Sequence, residues 1–268
     1  MRNLFKQFHW VAVLAVFLGI TVAQADSEHP TEYLAVSPRV RLQEMTRMDM
    51  RSSQGTQNMD GIELSPVTRA GTYLSVEASM ILKNADFNAL LSDSRAFGRY
   101  VQMGMPNLRD SRIVVPGAQE FITWTHMATS TPLGLRESRH FMQVRLTPAP
   151  NSEQGQGQTW VLYSPTDAER RRLGITLPEN SAFWDFEGAW YMQPLSDGSI
   201  YCRYYIAGTM KDRIVTLPIA RGQAMRQFGN GVYQIMLRLA TRAQERARRA
   251  VRVSTPVEAA AVEESLSE

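Results

Sequence analysis

Two histidines, His126 and His140, are the side chains in the patterned part of this 268-residue sequence that could trade a proton near neutral pH. Asp185 or Glu187 could orient either imidazole as the general base of a hydrolytic or cyclising step. Both histidines fall in segments that alternate like strands, and nothing local fixes their distance from a carboxylate. A lone strand histidine is more often exposed or structurally bonded, so the chemistry leans away from an enzyme. Metal ligation has less support. No local spacing unites two histidines with a carboxylate, and Cys202 is the single cysteine, so no thiolate set exists. The sequence contains neither a Gly-x-Ser-x-Gly elbow nor a glycine-rich phosphate loop, and it calls for no cofactor.

The elements that would position these residues are read from periodicity. Leu74, Val76, Ala78 and Met80 alternate with Tyr73, Ser75, Glu77 and Ser79, the pattern of a half-buried strand. Asn84 or Asp86 can cap a following helix, because a short polar side chain accepts from the free amides of the first turn. Phe87 to Val101 reads as two short helices broken around Ser92 to Ser94. Strands are expected over 110–115, 120–127, 136–146, 158–163, 183–193 and 199–207, the last two joined by a Ser196-Asp197-Gly198 hairpin loop. After Pro218 the period becomes helical. Met225, Phe228, Val232, Ile235, Met236, Leu239 and Ala243 form one stripe, and Arg226, Arg238, Arg242 and Arg246 lie largely off it. This helix is expected to run to Arg252, with 253–268 an acidic, disordered tail.

Several stretches carry a family resemblance. Thr72 to Leu82 followed by Asn84 to Leu91 resembles the first strand and opening helix of the START-like (SRPBCC, polyketide cyclase–Coq10–START) superfamily. Arg139-His140-Phe141 stands where START domains often carry Arg-Asp-Phe, with His140 departing from the usual aspartate. Gly188 to Leu195 is similar to the family's glycine, tryptophan, proline hairpin strand, and Leu217-Pro218 to the residues that open its last helix. The resemblance covers 61–248 and implies an α+β helix-grip fold, in which a curved antiparallel sheet wraps a long C-terminal helix. It also implies an internal cavity for a lipid or other hydrophobic small molecule, for binding or for transfer. Related folds include cyclases and hydrolases, which keeps an enzyme as the alternative. In such a fold the candidate lining is Trp124, Trp190, Cys202 and Tyr204 on strands, with Phe228, Val232 and Met236 on the helix. Met80, Met127, Met142 and Met192 add adaptable thioethers, and Gly229 and Gly231 could let a ligand or strand approach the helix.

The ends of the chain bear on location and partners. Arg2 and Lys6 precede an apolar run from Trp10 to Val22, and Ala23-Gln24-Ala25 offers small residues at the positions a signal peptidase reads. A signal peptide over 1–25, cleaved after Ala25, predicts a periplasmic or secreted protein. An N-terminal extension over 26–60 and a START-like domain over 61–252 would follow. Cleavage would remove two of the 29 basic residues and none of the 26 acidic ones, leaving near neutrality, which disfavours nucleic acid. With a single thiol, the exported chain has no internal disulfide. Arg248 and Arg249 could touch anionic lipid headgroups, each basic residue adding about 1 kcal/mol at such a surface. A non-catalytic envelope protein that docks through this helix end or the tail is the remaining alternative.

Overall fold

Strand β4 (Tyr73–Leu82) buries Leu74, Val76, Ala78, Met80 and Leu82, the alternate positions that the sequence pattern marks. In the computed structural model, which describes residues 38–45, 55–131, 134–148, 155–211 and 218–265, it belongs to a ten-stranded antiparallel sheet. The expected signal segment, 1–25, lies outside the described residues.

Ahead of β4 come helix α1 (Pro38–Met45) and the short strands β1 (Gln57–Met59), β2 (Ile62–Leu64) and β3 (Thr68–Ala70). After it come helix α2 (Phe87–Arg95) and a 3-10 turn (Phe97–Arg99). Strands β5 (Leu108–Val115), β6 (Glu120–Thr131), β7 (Gly134–Pro148) and β8 (Gln156–Tyr163) then run in succession. Helix α3 (Asp167–Leu173), strands β9 (Phe183–Pro194) and β10 (Ile200–Met210), and helix α4 (Pro218–Ser265) complete the order. The sheet order is β1-β2-β4-β10-β9-β8-β7-β6-β5, with β3 also paired to β4. Strands β5 to β10 thus form a meander, and β4 closes onto its last member.

The register builds one continuous inner face. Ala78 lies opposite Tyr204, Tyr204 opposite Trp190, Trp190 opposite Gln158, and Gln158 opposite Leu146. Helix α4 lies along this face and touches β2, β4, β10 and also β6, strands far apart in the sheet order. Val232, Met236, Leu239, Ala240 and Ala243 are buried there, in line with the helical stripe, and Phe228 and Ile235 are half-buried at its margin. This is the α+β helix-grip arrangement. Gly229 explains how β2 comes so near: a Cβ there would meet Val67 Cγ2 at 3.3 Å and Leu64 Cδ2 at 3.6 Å, whereas one on Gly231 would meet open space.

The outer face of the sheet is covered as well. Helix α1 sets Leu42 and Met45 against Ala189, Tyr191, Tyr201, Tyr205 and Ala207. Arg203, ion-paired with Glu77, donates to the Glu44 carbonyl at the end of α1 at 3.3 Å. Helix α3 opens on a capping box, Thr166 and Glu169 each satisfying the other's amide, and closes on Gly174 in the left-handed conformation. The segment after it lays Ile175 over Trp124 and Phe141.

Helix α2 is fastened to α4 by charge. Asp93 is 1% exposed, and Arg242 Nε and Arg246 Nη2 donate to its two oxygens at 2.8 and 2.7 Å. One turn separates these arginines, so both project from one face of α4. The Asp86 amide also donates to the Ala243 carbonyl at 3.3 Å.

Three expectations change. The helix after β4 is capped by Asp86 and continues through Ser94, whose hydroxyl turns back to the Leu91 carbonyl; the break falls at Ala96. The folded part reaches ahead of residue 61, since β1 pairs with β2 and Leu42 and Met45 are buried. Helix α4 continues to Ser265, through most of the segment expected as a tail, in keeping with the helix propensity of its Ala and Glu residues. Among the described residues no helix is long and apolar enough to cross a membrane.

Candidate ligand-binding cavity

The inner face of the sheet and α4 diverge where the strands turn from β9 towards β5. The gap between them holds about 640 Å³ of atom-free space, counting its open side. Its floor is aromatic. Trp160 stacks on Tyr204 with ring centres 5.6 Å apart, and Trp190 also packs on Tyr204 at 4.3 Å. Gly188 makes this possible, because a Cβ there would fall on the Trp160 ring. Phe97 and Tyr100 wall one end; Met105, Pro106 and Leu108 wall another; Ile235 contributes from α4. Burial raises the Tyr204 and Tyr100 hydroxyls well above the usual phenol range, so both stay neutral.

Polar atoms are few and placed in two groups. Gln158 Nε2 donates to the Ser94 carbonyl at 3.3 Å, and Tyr100 donates to that same carbonyl. Six residues away along the β7 ladder stands His140, fully buried among Phe183 and Phe186. Its Nδ1 is 3.0 Å from Ser138 Oγ, and burial lowers its pKa to about 4. It is therefore a neutral imidazole at physiological pH.

No family model matches this sequence, and no curated protein matches it either. Solved structures do match. The human StAR-related lipid transfer protein 5 is similar with a TM-score of 0.57 at 9% identity, over 77% of this chain and 93% of that one. Human STARD10 gives 0.54 at 10% identity, over 75% and 78%. A STAR-related lipid transfer protein fragment from Xanthomonas axonopodis gives 0.52 at 12%, over 70% and 96%.

The fold is START-like.

Within this START-like chain the expected site residues separate. Trp190, Tyr204 and His140 line the cavity. Cys202, Val232 and Met236 are buried in the core between sheet and helix, and Phe228 packs at its edge; these four contribute to the wall's backing rather than its surface. Burial pushes the Cys202 thiol up, so it behaves as a small apolar side chain. Trp124 is on the opposite face. Its neighbours Thr123 and Thr125 point inward, and strand alternation sends Trp124 outward, where its Nε1 donates to the Pro178 carbonyl at 2.8 Å. His126 shares that outer face, with Nε2 3.5 Å from the Glu137 carboxylate.

A carboxylate beside a cavity imidazole, the arrangement that acid–base chemistry would need, does not occur among the described lining residues. Asp185 accepts instead from the Thr209 amide at 3.0 Å, and Glu187 lies on the outer face of β9. The described residues also hold no group of three or more His, Cys, Asp or Glu side chains arranged for a metal ion. Ser111, Thr125, Gln158 and Ile235 line the cavity but escaped selection as site residues. Strand alternation groups residues within one strand, and only the observed pairing puts the first two on the same face as His140.

Proposed function

We propose that this START-like protein binds a lipid or similar hydrophobic small molecule in the gap between its sheet and α4. The observation that carries the reading is the gap itself: an aromatic and aliphatic surface of Trp160, Trp190, Tyr204, Met142, Phe186 and Ile206 that the protein's own side chains leave unfilled. Apolar surface of this kind gains free energy when a water-poor guest covers it. Two of the similar solved structures are named as lipid transfer proteins, which agrees with such a guest. Cyclase or hydrolase chemistry gains no support from the lining, because no carboxylate among the described lining residues stands beside His140, whose side-chain partner is a serine.

The proposal extends to location. The Arg2 to Ala25 segment is an export signal, and the mature chain beginning at Asp26 works in the periplasm or outside the cell. Exposed Arg248 and Arg249 on α4 then meet anionic headgroups while a guest is exchanged.

Solvent extraction of the purified protein followed by mass spectrometry tests the binding. A bound hydrophobic compound is expected. A guest at one hundred times its Kd would stabilise the fold by about 2.7 kcal/mol, which for a chain of this size raises Tm by about 5–10 °C. A chain that is empty on extraction, and whose Tm ignores a broad lipid panel, refutes the reading. N-terminal sequencing of the protein from the periplasmic fraction tests export, with Asp26 as the expected first residue.

A further inference from the structure

The cavity contains a row of side chains, each with a polar atom that the fold itself does not use. Ser111 on β5 lies opposite Thr125 on β6, and Thr125 lies opposite His140 on β7. All three line the cavity, and all three are at least nine-tenths buried. Ser111 Oγ, Thr125 Oγ1 and His140 Nε2 each have no hydrogen-bond partner among the described residues. Adjacent strands are about 4.8 Å apart, so the row spans about 10 Å across the sheet. A buried polar atom left without a partner costs about 1–3 kcal/mol, and three in register within one wall require an explanation.

The direction of hydrogen bonding at His140 follows from its neighbour. Ser138 Oγ accepts from the Ala182 amide at 3.0 Å, and its own proton remains to be given to His140 Nδ1 at 3.0 Å. Assigned this way, the Ser138 proton has an acceptor and the ring hydrogen sits on Nε2. The row therefore offers one N–H donor beside two hydroxyls that can donate or accept. No Lys, Arg, Asp or Glu lines the cavity among the described residues.

We infer that Ser111, Thr125 and His140 form a recognition site for an uncharged oxygen, a ketone or hydroxyl, carried by an otherwise apolar ligand. This rests on the binding reading above and narrows it to a chemical class. A carboxylate or phosphate is disfavoured here, since burial of an anion without a cationic partner is far more costly than burial of a neutral oxygen. A hydrocarbon without oxygen is disfavoured because it leaves all three atoms unpaired.

The test uses the full chain and displacement of the neutral fluorescent dye N-phenyl-1-naphthylamine by 2-decanone, 1-decanol, 1-chlorodecane and decanoate. The ketone and alcohol are expected to bind about tenfold more tightly than the chloroalkane or the acid at neutral pH. Thr125→Val keeps the shape of the side chain, Ser111→Ala removes only the hydroxyl, and His140→Phe removes the donor. Thr125→Val, at the centre of the row, should weaken the ketone and alcohol about fivefold, and one of its two neighbours should do the same, since a single oxygen does not reach both ends; 1-chlorodecane should be unchanged. His140→Gln, which restores an N–H, should recover part of the ketone affinity. Four probes that displace the dye with no preference for oxygen, or a preference that survives all three substitutions, would overturn the polar row and leave hydrophobic binding intact. A dye that fails to bind, with none of the four compounds raising Tm, would overturn both. Thr125→Val and Ser111→Ala are the smallest changes and keep the test decisive should His140→Phe misfold.

Discussion

The Asp93 clamp makes an asymmetric prediction. Asp93 is 1% exposed, while the side chains of Arg242 and Arg246 are 35% and 37% exposed. If Asp93 is replaced by Asn, the two arginines lose a charged acceptor but can turn to water. If both arginines are replaced by Met, the carboxylate stays in a site it cannot leave, faced by the more exposed Arg99, whose Nη2 is 3.6 Å from Oδ1. Removing one partner of a buried pair costs about 3–5 kcal/mol when the remaining charge is stranded, and partial exposure of the arginines places Asp93→Asn below that range, at about 2 kcal/mol. The double Arg242→Met, Arg246→Met variant should therefore lose about 3 kcal/mol, the low end of that range because Arg99 remains, and still more than Asp93→Asn. Either single arginine variant should fall between zero and half of the double, since the other arginine still neutralises the carboxylate. Urea unfolding followed by tryptophan fluorescence measures all four variants, and added salt should shift them little because Asp93 is out of reach of screening ions. The reasoning is refuted if Asp93→Asn costs as much as the double arginine variant, or if high salt erases the differences.

Three further outcomes follow from individual residues. Burial holds the His140 pKa at about 4, below its ordinary 6.5, so the folded state binds fewer protons than the unfolded chain. Its contribution is fully present above the unfolded value and is lost as pH falls from there towards about 4, amounting to about 3 kcal/mol. A urea series across that window should show the decline, and His140→Gln should flatten it. Gly188→Ala drives a methyl into the Trp160 ring and should cost about 1–3 kcal/mol, read by urea unfolding, with loss of dye binding as the floor shifts. Cys202 is fully buried with its thiol pushed up. It should resist a thiol-specific disulfide reagent in the native protein and react at once in urea, and rapid native labelling would contradict the packing.

Much of the fold was legible in the sequence because both periods are strong. The strand alternation of β4 buries the residues it marks, and the helical stripe buries Val232, Met236, Leu239 and Ala243, with Phe228 and Ile235 half-buried. What the pattern leaves open is which face of a strand is the inside. In a sheet with one wet face, bulk identifies the core, and Trp124 would then point inward. Here α1 and the segment after α3 cover the outer face, so Trp124 and Phe141 are buried on the side away from the cavity. The cavity side of β6 carries Thr123 and Thr125, small polar residues that composition alone assigns to solvent. The Asp93 clamp was half visible: the spacing of Arg242 and Arg246 puts them on one helical face, but their partner is 149 and 153 residues away in sequence. Helix α1 gives almost no amphipathic signal over its eight residues and, among its described side chains, packs through Leu42 and Met45. The longer α4 reflects local propensity prevailing over an expectation drawn from charge.

The seam between β4 and β10 joins residues 73–82 to residues 200–209, near the two ends of the sheet's sequence. While the chain is being made, β4 has no lasting neighbour on that side until β10 is complete, and β9 is likewise left bare. A chain stopped anywhere before Ile200 would present two unsatisfied strand edges at once, each able to template against another copy. The finished sheet is thus secured by the last strand synthesised, and truncated forms should be recovered as aggregates rather than as smaller soluble domains.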